Sequence, residues 1–92
     1  LIKNFMHKGL EKFFIRGTKA GIIPKHAENL SDILDMLNAA ASLGDMAAPN
    51  LRLHLREPKK DGVWSVDVSG QWRVTFRFEG GDAYDVNYDQ PH

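Results

Sequence analysis

Gln71-Trp72-Arg73-Val74-Thr75-Phe76-Arg77-Phe78 alternates without a break. Trp72, Val74, Phe76 and Phe78 fall on one side, and Arg73, Thr75 and Arg77 on the other. Period two in aromatic and β-branched residues is the pattern of a half-buried strand, because successive side chains leave a strand on opposite faces. The second face carries two arginines flanking a hydroxyl. Guanidinium groups held on one rigid face repel each other unless anions lie nearby. That face therefore predicts either a phosphate-rich ligand or carboxylates on a neighbouring strand.

The same period extends outward from this stretch. Val63 to Val68 reads as a strand with Trp64, Val66 and Val68 inward, joined to it by a tight turn at Ser69-Gly70. Gly80-Gly81-Asp82 turns again into a last strand, in which Tyr84, Val86 and Tyr88 alternate. Upstream, Leu51, Leu53 and Leu55 alternate with Arg52, His54 and Arg56, and Glu57 to Gly62 has the composition of a turn. The first half of the chain has the other period. Leu10, Phe13 and Phe14 recur at helical spacing from Lys8 to a stop at Ala20-Gly21. Pro24 opens a second helix that runs to about Ser42, with Ala27, Leu30, Ile33, Leu34, Leu37 and Ala41 as its core stripe and Gly44 as its stop. Ile2 to Phe5 supplies an optional short strand. The sum is an α+β fold in one domain, residues 1–92: a helical hairpin packed on one face of a mainly antiparallel four-stranded sheet, five-stranded if the opening segment joins.

Bulk properties narrow the function. A chain of 92 residues holds one core. No apolar run approaches the roughly 20 residues that span a bilayer, and no signal-peptide pattern opens the chain, so a membrane role is not expected. The absence of cysteine removes disulfides, thiolate metal sites and thiol catalysis, and fits a cytosolic protein. Zero formal net charge removes bulk electrostatic attraction to nucleic acid, so any anion binding must come from a local patch.

The face of the sheet turned away from the helices is where such a patch belongs. Alternation collects Arg52, His54 and Arg56, then Ser65 and Asp67, then Arg73, Thr75 and Arg77, then Asp85 and Asn87 on it. Arginine grips phosphate oxygens in bidentate fashion, and an open strand face is a platform for single-stranded RNA. The competing reading is a solvated face in which Arg73 or Arg77 pairs with Asp67 or Asp85. His7 and His26, near helix starts, read as surface or capping residues, and His92 taken alone reads as a tail. No two histidines or acids share close ligand spacing on one element, so no zinc site is expected.

The order of landmarks resembles a known family. Arg52-Leu53-His54 is followed by Gly62-Val63-Trp64-Ser65-Val66, Gln71-Trp72-Arg73-Val74-Thr75-Phe76, Gly81-Asp82-Ala83-Tyr84, Asn87-Tyr88 and His92. With the opening Ile2-Lys3-Asn4-Phe5 and His7-Lys8-Gly9-Leu10, this pattern is similar, over essentially the whole chain, to the HigB-type toxins of the RelE/ParE superfamily, the plasmid maintenance system killer proteins. Leu1 stands where that family begins with methionine, as an alternative start codon translated literally would give.

The resemblance implies a toxin of a bacterial type II toxin–antitoxin system, acting in the cytoplasm. It implies a ribosome-dependent endoribonuclease that cuts mRNA in the ribosomal A site with no metal or other cofactor. It also implies a HigA-type helix-turn-helix antitoxin as partner, with operator DNA reached only through that complex. Carried over by position, it gives His54 as a proton-transfer group, Arg73 as a phosphate clamp and His92 as the terminal histidine, so these are the expected catalytic residues. Arg52, Arg56, Lys59, Lys60 and Arg77 are expected to contact RNA phosphates. Two departures stand out. Leu55-Arg56-Glu57-Pro58 replaces the family's Pro-Leu-Lys-Gly, so a carboxylate stands at the lysine position. Asp89-Gln90-Pro91-His92 replaces Glu-Asp-Tyr-His, which removes an acid and a phenol. Two functions thus stay open: the endoribonuclease, and a catalytically weak or inactive homologue that serves as antitoxin partner and co-repressor. A gyrase-directed toxin, the alternative elsewhere in the superfamily, fits the histidines less well.

Overall fold

The computed structural model describes residues 1–55 and 62–90. Helix α1 (Lys8–Arg16) and helix α2 (Ala27–Ala39) precede four strands: β1 (His54–Leu55), β2 (Trp64–Ser69), β3 (Trp72–Glu79) and β4 (Asp82–Asp89). The strands form one antiparallel sheet in the order β1-β2-β3-β4, the meander that the alternation predicts. The opening segment adds two isolated parallel bridges to the outer edge of β4, Ile2 to Ala83 and Phe5 to Val86. Among the described residues no helix is long and apolar enough to cross a membrane.

Both helices end earlier than the sequence reading has them. Gly17, at φ 75°, takes the left-handed conformation that stops α1, and its N–H bonds to the Phe13 carbonyl. The stop is therefore Gly17, not Gly21. Helix α2 follows a single 3₁₀ turn at Pro24–His26 and ends at Ala39, so Ala40 rather than Ala41 closes its buried stripe of Leu30, Ile33, Leu34 and Leu37. Gly44 lies inside a second 3₁₀ turn, Leu43–Met46, held by a capping box between Ser42 and Asp45. The core is completed by Leu10, Met46, Leu51 and the sheet residues Val66, Val68, Val74, Phe76, Ala83, Val86 and Tyr88.

The ladder shifts register twice, between Asp67 and Ser69 on β2 and between Thr75 and Arg77 on β3. Thr75 pairs with Asn87 and Arg77 with Tyr84, so three steps on β4 oppose two on β3. The extra residue lies at Asp85, whose φ of 54° is left-handed. The phase of β4 shifts there, and the buried residues are Ala83, Val86 and Tyr88 instead of Tyr84, Val86 and Tyr88. By contrast the β3–β4 turn follows its sequence closely. Gly80 and Gly81, at φ 59° and 83°, form the two-residue loop between paired Glu79 and Asp82.

The histidines near the helix starts divide. His7 caps α1, its Nδ1 accepting from the Leu10 N–H at 2.9 Å, as its position predicts. His26 is buried instead of surface-lying: it is 4% exposed, with Nδ1 2.7 Å from the Tyr88 hydroxyl and its ring edge-on to Trp72 and Tyr88. A lone polar residue at a helix start carries no sign of a partner 62 positions downstream. Burial raises the Tyr88 phenol above its usual pKa, opposed by its bond to the Ile23 backbone.

Helix α1 meets the loop before α2 at two glycines. A Cβ on Gly9 would lie 2.6 Å from the Gly21 carbonyl oxygen, a backbone atom with no side-chain freedom to yield. Gly9→Ala should therefore lower stability by roughly 1–3 kcal/mol in urea unfolding. Gly44→Ala, whose Cβ meets nothing nearer than 3.8 Å, is the matched control and should change it far less.

Candidate active site

The face of the sheet away from α2 is organised in cross-strand rows. His54, Ser65, Thr75 and Asn87 form one row, and Asp67, Arg73 and Asp89 the next. Side chains two residues apart on one strand lie roughly 7 Å apart, so the two rows are neighbours. This face is not simply solvated. Ser65 is fully buried and Thr75 is 3% exposed, because short side chains at the sheet centre are covered by longer ones around them.

Strand β1 is shorter than its leucine alternation predicts, for a local reason. His54 pairs with Ser65, while the Asp67 N–H donates to the Leu51 carbonyl at 2.7 Å. Three steps from Leu51 to His54 therefore oppose two from Ser65 to Asp67, which is the count of a bulge. Arg52 occupies it at φ 52°. A left-handed non-glycine residue costs roughly 1–2 kcal/mol, and arginine has no short polar side chain to ease it.

The bulge fixes the chemistry of His54. Its Nδ1 lies 2.7 Å from the Arg52 carbonyl oxygen. A carbonyl only accepts, so in the neutral ring the proton is on Nδ1 and Nε2 keeps its lone pair. Among the described residues the cation facing that lone pair is Arg73, with Nη1 at 3.5 Å from Nε2, a long and therefore weak contact. Asp67 faces Arg73 across the strands, its Oδ1 3.7 Å from Arg73 Nε, and its Oδ2 is 3.6 Å from Arg52 Nε. One half-buried carboxylate thus stands between two guanidinium groups. Among the described residues Arg73 Nε is buried and faces Asp67 at ion-pair distance without a hydrogen bond, so the outer nitrogens of the guanidinium are the ones open to an anionic oxygen. Arg52, Leu53, His54, Asp67, Gly70, Gln71 and Arg73 enclose a pocket of about 460 Å³. Gln90, where the resembling family has an acid, reaches its rim through a 3.5 Å contact from Nε2 to Gln71 Oε1.

A larger groove of about 580 Å³ lies beside α2, with Asp32, Asp35 and Asp67 among its walls. Its carboxylates repel a phosphodiester, whereas the smaller pocket, though it shares Asp67, is lined by His54, Arg52 and Arg73.

Of the residues singled out from sequence, His54, Arg73 and Arg52 come together. Arg77 does not join them. It lies four residues, roughly 13 Å, along the strand from Arg73, and its Nε bonds to Asp85 Oδ2 at 3.0 Å while Nη1 lies 3.6 Å from Glu79 Oε1. Its guanidinium also stands 6.0 Å over the Tyr84 ring. Arg56, Lys59, Lys60 and His92 lie outside the described residues, as do Glu57 and Pro91. The pairing of Asp67 with two cations is half-visible in sequence, since alternation puts Asp67 opposite Arg73; the bulge that brings Arg52 to it gives no sequence signal.

The matched family description is RelE-like toxin of type II toxin–antitoxin system HigB, over residues 3–92. The chain belongs to this HigB-like toxin family. The HigB-like toxin is 35% identical to the Endoribonuclease HigB of Proteus vulgaris over 92 residues, all of both chains. It is 28% identical to an uncharacterized protein of Haemophilus influenzae, over 98% of this chain and 90% of that one. As a type II toxin it has an antitoxin as partner.

Asp85 of this HigB-like toxin has its pKa lowered, first by the Asn4 side chain at 2.8 Å and then, against desolvation, by Arg77. A carboxylate lowered on folding stabilises the fold above its unfolded pKa, and that contribution is lost as pH falls through the folded value. Asp85→Asn, which tolerates the left-handed backbone, should cost at most about 1 kcal/mol at neutral pH because the pair is part-exposed. In urea titrations the difference from wild type should vanish once the pH is below the folded pKa of Asp85.

Proposed function

We propose that this chain is an endoribonuclease that cuts mRNA in the ribosomal A site without a metal ion, in the bacterial cytoplasm, and is neutralised by a HigA-type helix-turn-helix antitoxin. The observation that carries this reading is His54, with Nδ1 held by the Arg52 carbonyl and Nε2 3.5 Å from the Arg73 guanidinium, at the wall of a pocket of about 460 Å³. The name of the Proteus vulgaris relative supports it.

In this reading His54 Nε2 takes the proton of a ribose 2′-hydroxyl, and the oxygen attacks the adjacent phosphorus. The Arg73 guanidinium binds the phosphoryl oxygens on which charge accumulates. The bond to the 5′-oxygen breaks, that oxygen takes a proton from a general acid, and a 2′,3′-cyclic phosphate and a 5′-hydroxyl result. His92 fills the acid role through the family resemblance. Arg56, Lys59 and Lys60 hold flanking phosphates, and Arg52 adds charge at the pocket edge. Operator DNA is contacted only through the antitoxin complex, and no membrane is involved.

One observation favours the weaker, partner-only reading. Asp67 shares Arg52 and Arg73, and Asp85 and Glu79 take Arg77, so much of the positive charge on this face is already compensated. Primer extension on a translating ribosome–mRNA complex decides between the two. The endoribonuclease reading expects A-site cleavage by the wild type. His54→Ala and Arg73→Ala should each slow it by on the order of 10²-fold or more while antitoxin binding persists. No cleavage by the wild type, with cleavage by the Gln90→Asp/Pro91→Tyr variant, would leave a toxin scaffold that has lost its chemistry.

A further inference from the structure

We infer that Arg52 serves the reaction through its backbone: its left-handed conformation aims the carbonyl at His54 Nδ1 and so selects the tautomer whose Nε2 can accept a proton. This rests on the proposed endoribonuclease reading. It assigns Arg52 a positioning role distinct from the phosphate contact that its side-chain charge suggests.

The observations converge on one short stretch. The bulge between Leu51 and His54 is anchored at its start, where the Leu51 N–H donates to the Ala48 carbonyl at 2.9 Å and the Leu51 carbonyl accepts from the Asp67 N–H at 2.7 Å. His54 then re-enters the ladder opposite Ser65. With these anchors set, the extra residue turns through positive φ at Arg52, and its carbonyl stands 2.7 Å from Nδ1 of the histidine two residues on. Free neutral histidine favours the proton on Nε2, the form in which the nitrogen facing Arg73 would be a donor and useless as a base. Arg73 Nη1 can only donate, so it too is compatible solely with an unprotonated Nε2. A backbone acceptor on one ring nitrogen and a cationic donor near the other therefore specify the same tautomer. The Arg52 side chain, 78% exposed, reaches Asp67 at 3.6 Å, an ion pair at the outer edge of the pocket.

A role through the backbone has a signature that a phosphate contact lacks. Arg52→Gly and Arg52→Val both remove the guanidinium, but glycine adopts positive φ freely while a β-branched residue resists it most. The full-length chain, with ¹⁵N-labelled histidine rings, is compared in wild-type, Arg52→Gly and Arg52→Val forms by two-bond ¹H–¹⁵N correlation at a pH where His54 is neutral. The same three proteins are assayed for mRNA cleavage on ribosomes. Wild type and the glycine variant should carry the proton on Nδ1. The valine variant should move towards the Nε2–H form and cleave roughly tenfold or more slowly than the glycine variant. Circular dichroism melting checks that the variants fold, and Arg52→Ala replaces valine if that variant does not. A wild-type ring protonated on Nε2 would overturn the inference. So would equal cleavage by the glycine and valine variants with unchanged tautomers, the result expected if Arg52 acts only by charge. If none of the three cuts RNA, the endoribonuclease reading fails, and the ring spectra alone still decide whether Arg52 sets the tautomer.

Discussion

Burial of one face of the sheet against α2 is the constraint on which the rest depends. Leu30, Ile33, Leu34 and Leu37 supply one side, and Val66, Val74, Phe76 and Val86 the other. In a strand, fixing which side chains go in fixes which go out. Once Val74 and Phe76 are committed to the core, Arg73, Thr75 and Arg77 must share the opposite face. Pairing across the sheet then carries Asp67 and His54 to them. The pocket is thus a by-product of core packing, set on the face opposite the helix.

How much of this was legible follows from where period two survives. Strands β2 and β3 obey it, and their inward and outward residues can be read from the order of side chains. It fails at Arg52 and Asp85, the two described non-glycine residues with positive φ. Aspartate tolerates the left-handed region better than most residues, so Asp85 gave a faint hint. Arginine gave none. The shifted phase of β4, with Ala83 inside in place of Tyr84, and the shortening of β1 both come from these two residues. His26 was misplaced for another reason. Its partner Tyr88 is distant in sequence, and nothing local distinguishes a buried hydrogen-bonded histidine from a surface one. In the candidate site, the types and faces of His54 and Arg73 were readable, while the orientation of the imidazole was not, since it depends on a backbone carbonyl.

Electrostatically the chain works by local compensation. Formal charge is zero, yet neither sign is spread evenly. Lys8, Lys12 and Arg16 line α1, whereas Glu28, Asp32 and Asp35 lie exposed along α2. On the sheet face Arg52, Arg73 and Arg77 each have a carboxylate within ion-pair distance. A ligand phosphate there exchanges one anion for another instead of entering an empty positive field. Such exchange favours a substrate that is delivered and oriented by something else over one captured from solution by charge.

The bridges from the opening segment to β4 bear on how the fold assembles. Asn4 and Asp85 bond to each other in both directions across 81 positions of sequence. Closing a loop of that length is entropically costly, so the outer edge of the sheet seals after the local β3–β4 hairpin has formed. Until it seals, that edge presents unpaired backbone groups, a template for any strand that reaches it first.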